Sequence, residues 1–294
     1  MTVASERPTQ GATQGLAATI TSVTLMGFGS VVAKASEIAG PVLALHRSWV
    51  AAVLYVGLFL ALGGRISRAG LRASAPGGLV FGLQLAFFFS AIQLTTVANA
   101  TMILAMQPVV VLLFFSRRFD EAVTTRGVVL SAIAVAGVAL VVFGSTASPS
   151  WSASGDLLAV GALAGWTLYF VFSKQARATT GAVEYQGLSL IFSSLVMVPV
   201  AVVFSGTFDP APQSWWWVAA MVAIPGTGHL LMNWAHSRVA LTLVSQLTLF
   251  SPVVSVVVAA AVLDGESVNA IQLAGMATVL TALVLLVRLQ RAGS

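Results

Sequence analysis

Residues 95–121 read TTVANATMILAMQPVVVLLFFSRRFDE, and their centre, Val97 to Ser116, is almost wholly apolar. A helix rises about 1.5 Å per residue, so about 20 residues cross the roughly 30 Å hydrocarbon core of a bilayer. This stretch therefore reads as a transmembrane helix. Pro108 lies at its middle, where the missing N–H and the bulk of the ring kink a helix. Arg117 and Arg118 follow directly, and basic flanks mark the cytoplasmic end of a span. The pattern returns at residues 239–266 as VALTLVSQLTLFSPVVSVVVAAAVLDGE, with Pro108 matching Pro252 at a shift of 144 and Glu121 matching Glu266 at 145.

The composition agrees with this reading. Hydrophobic residues make up 58% of the chain and charged residues 8%, against about half and about a quarter in soluble domains. An integral membrane protein is expected. The net charge of +5 does not imply nucleic acid, because the basic residues lie in short connections between apolar spans rather than on one face. Met1 to Gln14 shows no small-residue cleavage pattern after a short apolar run, so no cleaved signal peptide is expected. The absence of cysteine excludes disulfides and thiolate metal sites.

Ten apolar spans follow from length and punctuation: 15–36, 41–63, 75–94, 97–116, 124–144, 155–173, 183–205, 214–235, 241–263 and 268–287. With the N-terminus inside, twelve of the fourteen Lys and Arg residues fall on cytoplasmic segments, leaving Lys34 and Arg47. One span more or fewer would scramble that asymmetry. The fold class is thus all-α, ten transmembrane helices with both termini cytoplasmic. A tail (1–14) precedes a first five-helix repeat (15–144), a linker (145–154), a second repeat (155–287) and a tail (288–294). Because the second repeat begins outside, the repeats are inverted. Gly15 and Lys34 match Gly155 and Lys174 at a shift of 140, and Gly82 matches Gly226 at 144. Inverted repeats are a transporter architecture, with substrate held between the halves near the midplane.

The chain at this point resembles the drug/metabolite transporter superfamily, in particular its EamA-type ten-helix members. The resemblance spans nearly the whole chain. It is carried by the Gly-to-Lys first helix of each half (Gly15–Lys34, Gly155–Lys174), the Pro-to-Glu fourth helix (Pro108–Glu121, Pro252–Glu266) and the small-residue fifth helix, with Gly137 opposite Ala282. It implies a pair of inverted five-helix bundles in which spans 1, 3, 4, 6, 8 and 9 line a central cavity and spans 5 and 10 lie at the back. In general character the chain is similar to the YddG-like aromatic amino-acid exporters.

Polar groups inside the lining spans are candidate contacts, since burying them in hydrocarbon without a partner costs several kcal/mol. These are Gln84, one turn from Phe88; Asn99 and Gln107; Trp166 and Tyr169, three apart on one face; His229 and Asn233, four apart; and Gln246. Five amides without an interior carboxylate suit a zwitterion or a neutral polar solute. The same amides are also the groups that stitch membrane helices together. Trp166 and Tyr169 offer ring faces to a flat apolar substrate. Arg47 is positioned either to pair with Glu37 or to bind a substrate carboxylate, while Lys34 snorkels outward and His236 reads as an interfacial loop residue. Pro108, Pro225, Gly226, Gly228 and Pro252 are the candidate hinges. Of these, the Pro225 segment in span 8 is expected to interrupt its helix and expose backbone to a cavity. Gly78-x-x-x-Gly82 and Gly161-x-x-x-Gly165 read as close helix contacts.

An intramembrane enzyme is disfavoured, since there is no His-Glu-x-x-His, no acidic pair within a span and no Ser–His arrangement with an orienting carboxylate. No cofactor and no metal are expected. The expected partners are a small-molecule substrate and the lipid bilayer of a bacterial-type cytoplasmic membrane, not nucleic acid. Aromatic amino acids, other neutral amino acids and drug-like amines all fit. Every acidic residue falls in a tail, a loop or a span end, so facilitated export is favoured over proton coupling, for which His229 is the one candidate.

Overall fold

The computed structural model describes residues 7–144, 152–205, 210–263 and 267–293. Glu266, Asp264, Asp209, Glu6 and most of the 145–154 linker lie outside the described residues. Every regular element described is helical, and nine helices among the described residues are long and apolar enough to cross a membrane. A tenth crossing is built from shorter pieces. In chain order we name the crossings α1 (Arg7–Ser36), α2 (Gly40–Ala61), α3 (Arg68–Leu94), α4 (Val97–Phe119), α5 (Thr125–Phe143), α6 (Ala153–Ala176), α7 (Ala182–Ser205), α8 (215–235), α9 (Leu241–Val262) and α10 (Ala270–Gly293).

Several helices begin where a side chain caps them rather than where the apolar run begins. Ser67 Oγ accepts from the Gly70 N–H at 2.9 Å, so α3 starts at Arg68, about two turns before the apolar run. Thr96, Thr124 and Ser152 cap α4, α5 and α6 in the same way.

Pro108 and Pro252 break their helices one turn upstream. In α4 the α-helix Val97–Leu104 ends and regular bonding resumes at Gln107; in α9 a tight turn at Thr248–Phe250 separates Leu241–Leu247 from Ser251–Val262. Pro108 and Pro252 have no N–H for the carbonyl four residues back, and the ring crowds that carbonyl. In α8 the outcome differs from the expected unwinding. Trp215–Met221 passes into a π turn, Val222–Gly226, and on into Thr227–Ala235, so Pro225 is absorbed by a widened turn while the backbone stays helical.

The crossings pair between the two halves of the chain. α1 packs on α8 and α9, and α6 packs on α3 and α4; α2 faces α7, and α5 faces α10. Glycines set the closest approaches: a Cβ on Gly78 would lie 2.2 Å from Ser189 O, one on Gly82 2.9 Å from Ser193 O, and one on Gly165 3.1 Å from Val80 O. Such backbone-to-backbone packing replaces the hydrophobic drive that lipid removes.

Candidate functional site

A cavity of about 330 Å³ lies within the bundle, walled by α1, α2, α3, α4, α6, α8 and α9. The expected lining helices are present, and α2 joins them through Leu43, Ala44 and Arg47. Most of the wall is apolar. Its polar groups are the Arg47 guanidinium, the Gln84 amide, the His229 imidazole and the hydroxyls of Ser30, Thr101, Thr248 and Ser251.

Among the described residues Arg47 is the only Lys or Arg in that wall, and no Asp or Glu lines it. The expected Glu37 partner is not engaged: among the described residues Arg47 makes no ion pair or hydrogen bond, and its Cζ lies 5.9 Å from the centre of the Phe81 ring. Phe81 is the hub of an aromatic cluster. Its ring stacks on Tyr169 at 4.7 Å and 28°, lies 6.2 Å from Trp166 and sits 5.2 Å from the His229 ring. Trp166 and Tyr169 are stacked on each other at 5.6 Å and 17°, as their three-residue spacing leads one to expect. His229 is buried, and its Nδ1 has no partner among the described residues.

The structure gathers Arg47, Gln84, Phe88, Trp166, Pro225, His229 and Pro252 around the cavity, and sets the other candidates elsewhere. Asn99 lies in the first turn of α4, where its Nδ2 donates to Thr95 Oγ1 at 3.3 Å. Gln246 Nε2 donates to Ser131 Oγ at 2.8 Å, tying α9 to α5. Pro108 is buried beside Gln107, whose Oε1 accepts from Thr248 across to α9. Gly226 lies in the π turn, and Gly228 packs on α1, where a Cβ would be 2.9 Å from Ser22 O. Tyr169 stands behind Phe81 with its hydroxyl bonded to the Asn233 amide.

Asn233 is the centre of a buried polar network beneath the cavity. Its Oδ1 accepts from Ser173 Oγ at 2.7 Å, and its Nδ2 donates to Gln186 Oε1. Since the Ser173 proton is committed to Asn233, His236 Nδ1 donates to Ser173 Oγ at 2.7 Å, which leaves Nε2 the bare nitrogen. His236 is thus not the interfacial residue expected from its place after α8: it is 1% exposed, with its ring 4.8 Å from Phe170. Burial, then the charges of Lys174 and Arg177, push its pKa down to about 3.

At the end of the bundle that carries Arg117, Arg118 and Lys174, residues from the two motifs meet. Glu121 Oε1 accepts from Lys174 Nζ at 2.7 Å and from the Leu241 N–H at 2.5 Å, while Oε2 accepts from the Thr242 N–H at 2.8 Å. Lys174 Nζ also donates to Val239 O at 3.0 Å. One carboxylate therefore joins α4, α6 and the first turn of α9, where a helix N-terminus favours a negative charge.

Sequence reasoning treated Glu121 and Lys174 as separate motif ends and did not pair them. It also passed over Phe81 and Gln186. Phe81 lay within reach, one helical turn before Gln84 on the same face; Gln186 carried no signal, being in a helix not expected to line the cavity.

The EamA-like transporter family model matches residues 13–143 and again residues 153–288. No curated protein matches the sequence. Among solved structures, one crystal structure superposes with a TM-score of 0.82 over 97% of this chain and 99% of that one, at 18% identity, a likeness of fold. Two successive matches over nearly the whole chain, on an all-helical bundle enclosing a cavity, place this multi-pass membrane protein in the EamA-like transporter family.

Proposed function

We propose that the protein exports amino acids, aromatic or other neutral ones, across a bacterial-type cytoplasmic membrane, by alternating access about the central cavity and as a facilitator. The observation that carries the substrate class is Arg47, a cation in a mostly apolar wall with no ion-pair partner among the described residues. A buried charge is costly until an opposite charge joins it, and a substrate carboxylate supplies one. The Gln84 oxygen and the hydroxyls of Ser30 and Ser251 are acceptors suited to an ammonium group, and Phe81, Phe88 and Trp166 offer ring faces to an apolar side chain. The exchange of partners between halves, α1 with α8 and α9 against α6 with α3 and α4, supports two inverted repeats.

Counterflow in liposomes with a panel of amino acids tests the reading. Uptake of labelled phenylalanine or leucine should be driven by the same unlabelled solute and be lost in Arg47→Gln. Decarboxylated amine analogues should pass no faster than in that variant. Equal transport of amine and amino acid by the parent protein would refute the carboxylate assignment.

Proton coupling is the second reading, favoured by the unpartnered His229 Nδ1 in the cavity wall. Under the facilitator reading an imposed pH gradient leaves the final accumulation of a net-neutral substrate unchanged. Accumulation that follows the gradient, and loses that dependence in His229→Gln, would establish coupling instead.

A further inference from the structure

The two back helices are held together where they cross: a Cβ on Gly275 would lie 2.7 Å from Gly137 O, and one on Gly137 3.0 Å from Gly275 O. Thr125, at the start of α5, lies twelve residues from that crossing, or about 18 Å along the helix, and there α5 and α10 leave a space between them. The space left between them is a surface groove of about 520 Å³ whose walls include Arg126 and Arg288, with Thr125, Val129, Leu130 and Leu285. Among the described residues neither arginine has an ion-pair or hydrogen-bond partner. Neither α5 nor α10 contributes to the central cavity's wall, and the groove and that cavity share no lining residue.

Three features converge here on one chemistry. Two guanidinium groups on facing helices present forked donors that match phosphate oxygens. The first turn of the 19-residue α5 adds the Thr125 and Arg126 N–H groups, which have no helical partner while the Gly127 N–H is taken by Thr124 Oγ1, and the positive end of its dipole. The apolar wall continues from the charged end towards the middle of the bilayer, with Val129 51% and Leu285 42% exposed, as an acyl chain requires and a soluble anion does not.

We propose that this groove binds an anionic phospholipid of the leaflet at the basic end, its phosphodiester between Arg126 and Arg288 and an acyl chain along Val129 and Leu285. This site is independent of the transported substrate.

Native mass spectrometry of the detergent-purified full chain tests it, with phosphatidylglycerol and phosphatidylcholine of the same acyl chains as probes. Phosphatidylglycerol should bind more tightly than phosphatidylcholine. The double variant Arg126→Gln/Arg288→Gln should weaken phosphatidylglycerol binding about 25-fold, the effect of two charges near the membrane surface. Arg126→Lys/Arg288→Lys should retain most of the binding, and Arg65→Gln/Arg68→Gln, which removes two other arginines of the same end, should change it by less than about two-fold. The proposal is overturned if the phosphatidylglycerol preference is missing, if it survives Arg126→Gln/Arg288→Gln, or if Arg65→Gln/Arg68→Gln abolishes it equally. Displacement of the lipid by glycerol phosphate at equal concentration would overturn the lipid assignment in favour of a soluble phosphate ester.

Discussion

Replacing Glu121 with Gln should unlock the basic end of the transporter. The carboxylate side chain is 8% exposed and receives three donors, Lys174 Nζ and the N–H groups of Leu241 and Thr242. Glutamine keeps the volume but offers one acceptor oxygen, and its NH2 must face a donor. Removing one member of a buried pair costs about 3–5 kcal/mol. Lys174 is 19% exposed and keeps Val239 O, so the lower end, about 3 kcal/mol, applies. These bonds join α4, α6 and α9, so a state in which that end has opened forfeits them already and is not penalised by the substitution. The balance should therefore move about 100-fold towards it.

The native chain is cysteine-free, so single cysteines report without background. One introduced as Ser245→Cys, in the fully buried first half of α9, should gain reactivity with a small thiol reagent in the Glu121→Gln background. One introduced as Ser30→Cys, in the cavity wall, should lose it. A rise at both positions would mean unfolding, and no change at either would refute the view that Glu121 closes this end. Exchanging the charges, Glu121→Lys with Lys174→Glu, should not rescue closure, because a lysine at 121 would face the N–H donors of α9.

Four further outcomes are expected. Trp166→Ala should reduce transport of an aromatic substrate about 2- to 12-fold more than that of a small aliphatic one, the range set by ring stacking; equal losses at normal abundance would indicate packing alone. Because the folded-state pKa of His236 is depressed to about 3 while the unfolded chain binds a proton near pH 6.5, its contribution is intact above that pH and lost as pH falls below it. Lowering pH from 7 to 5 should thus cost about 2 kcal/mol more in the parent than in His236→Gln, read from thermal or denaturant unfolding in detergent. Gly275→Ala should destabilise by about 1–3 kcal/mol, since its Cβ meets main-chain atoms that cannot rotate away, whereas Gly57→Ala, which meets nothing within 4 Å, should be neutral or stabilising. For the topology, Ser148→Cys, at a position outside the described residues, should be labelled from outside intact cells by an impermeant reagent and Arg68→Cys should not; the reverse pattern would overturn the inverted arrangement.

The crossings were legible because apolar length is a strong signal, and the breaks in α4 and α9 because proline acts through its own missing donor. Where a polar side chain points was far less legible. In a soluble helix the polar face is turned to water, but here one face meets lipid, another protein and a third the cavity, all largely apolar, so periodicity does not separate Gln84 from Gln246. Depth decided the rest: Asn233 shares a helical side with His229 but sits one turn further on, where it bonds the Tyr169 hydroxyl behind Phe81. The Glu121–Lys174 pair joins residues 53 positions apart through a contact made only when α4 and α6 converge, and no local pattern encodes that.

The π turn in α8 has a consequence for how this protein is able to vary. It holds one residue more than the α-helical turn it replaces, so everything after Val222–Gly226 is rotated by about 100° relative to an unbroken helix. His229 reaches the cavity and Asn233 reaches Tyr169 only in that phase. Deleting Ala223 would restore the ordinary period, swing both side chains about 100° round the axis and draw them about 1.5 Å along it, with every wall residue keeping its identity. α4 carries the same device at Val111–Phe115, between Pro108 and Glu121. Single-residue gains and losses in these two turns would act as angular settings, re-aiming whole helical faces in a way that point substitution does not.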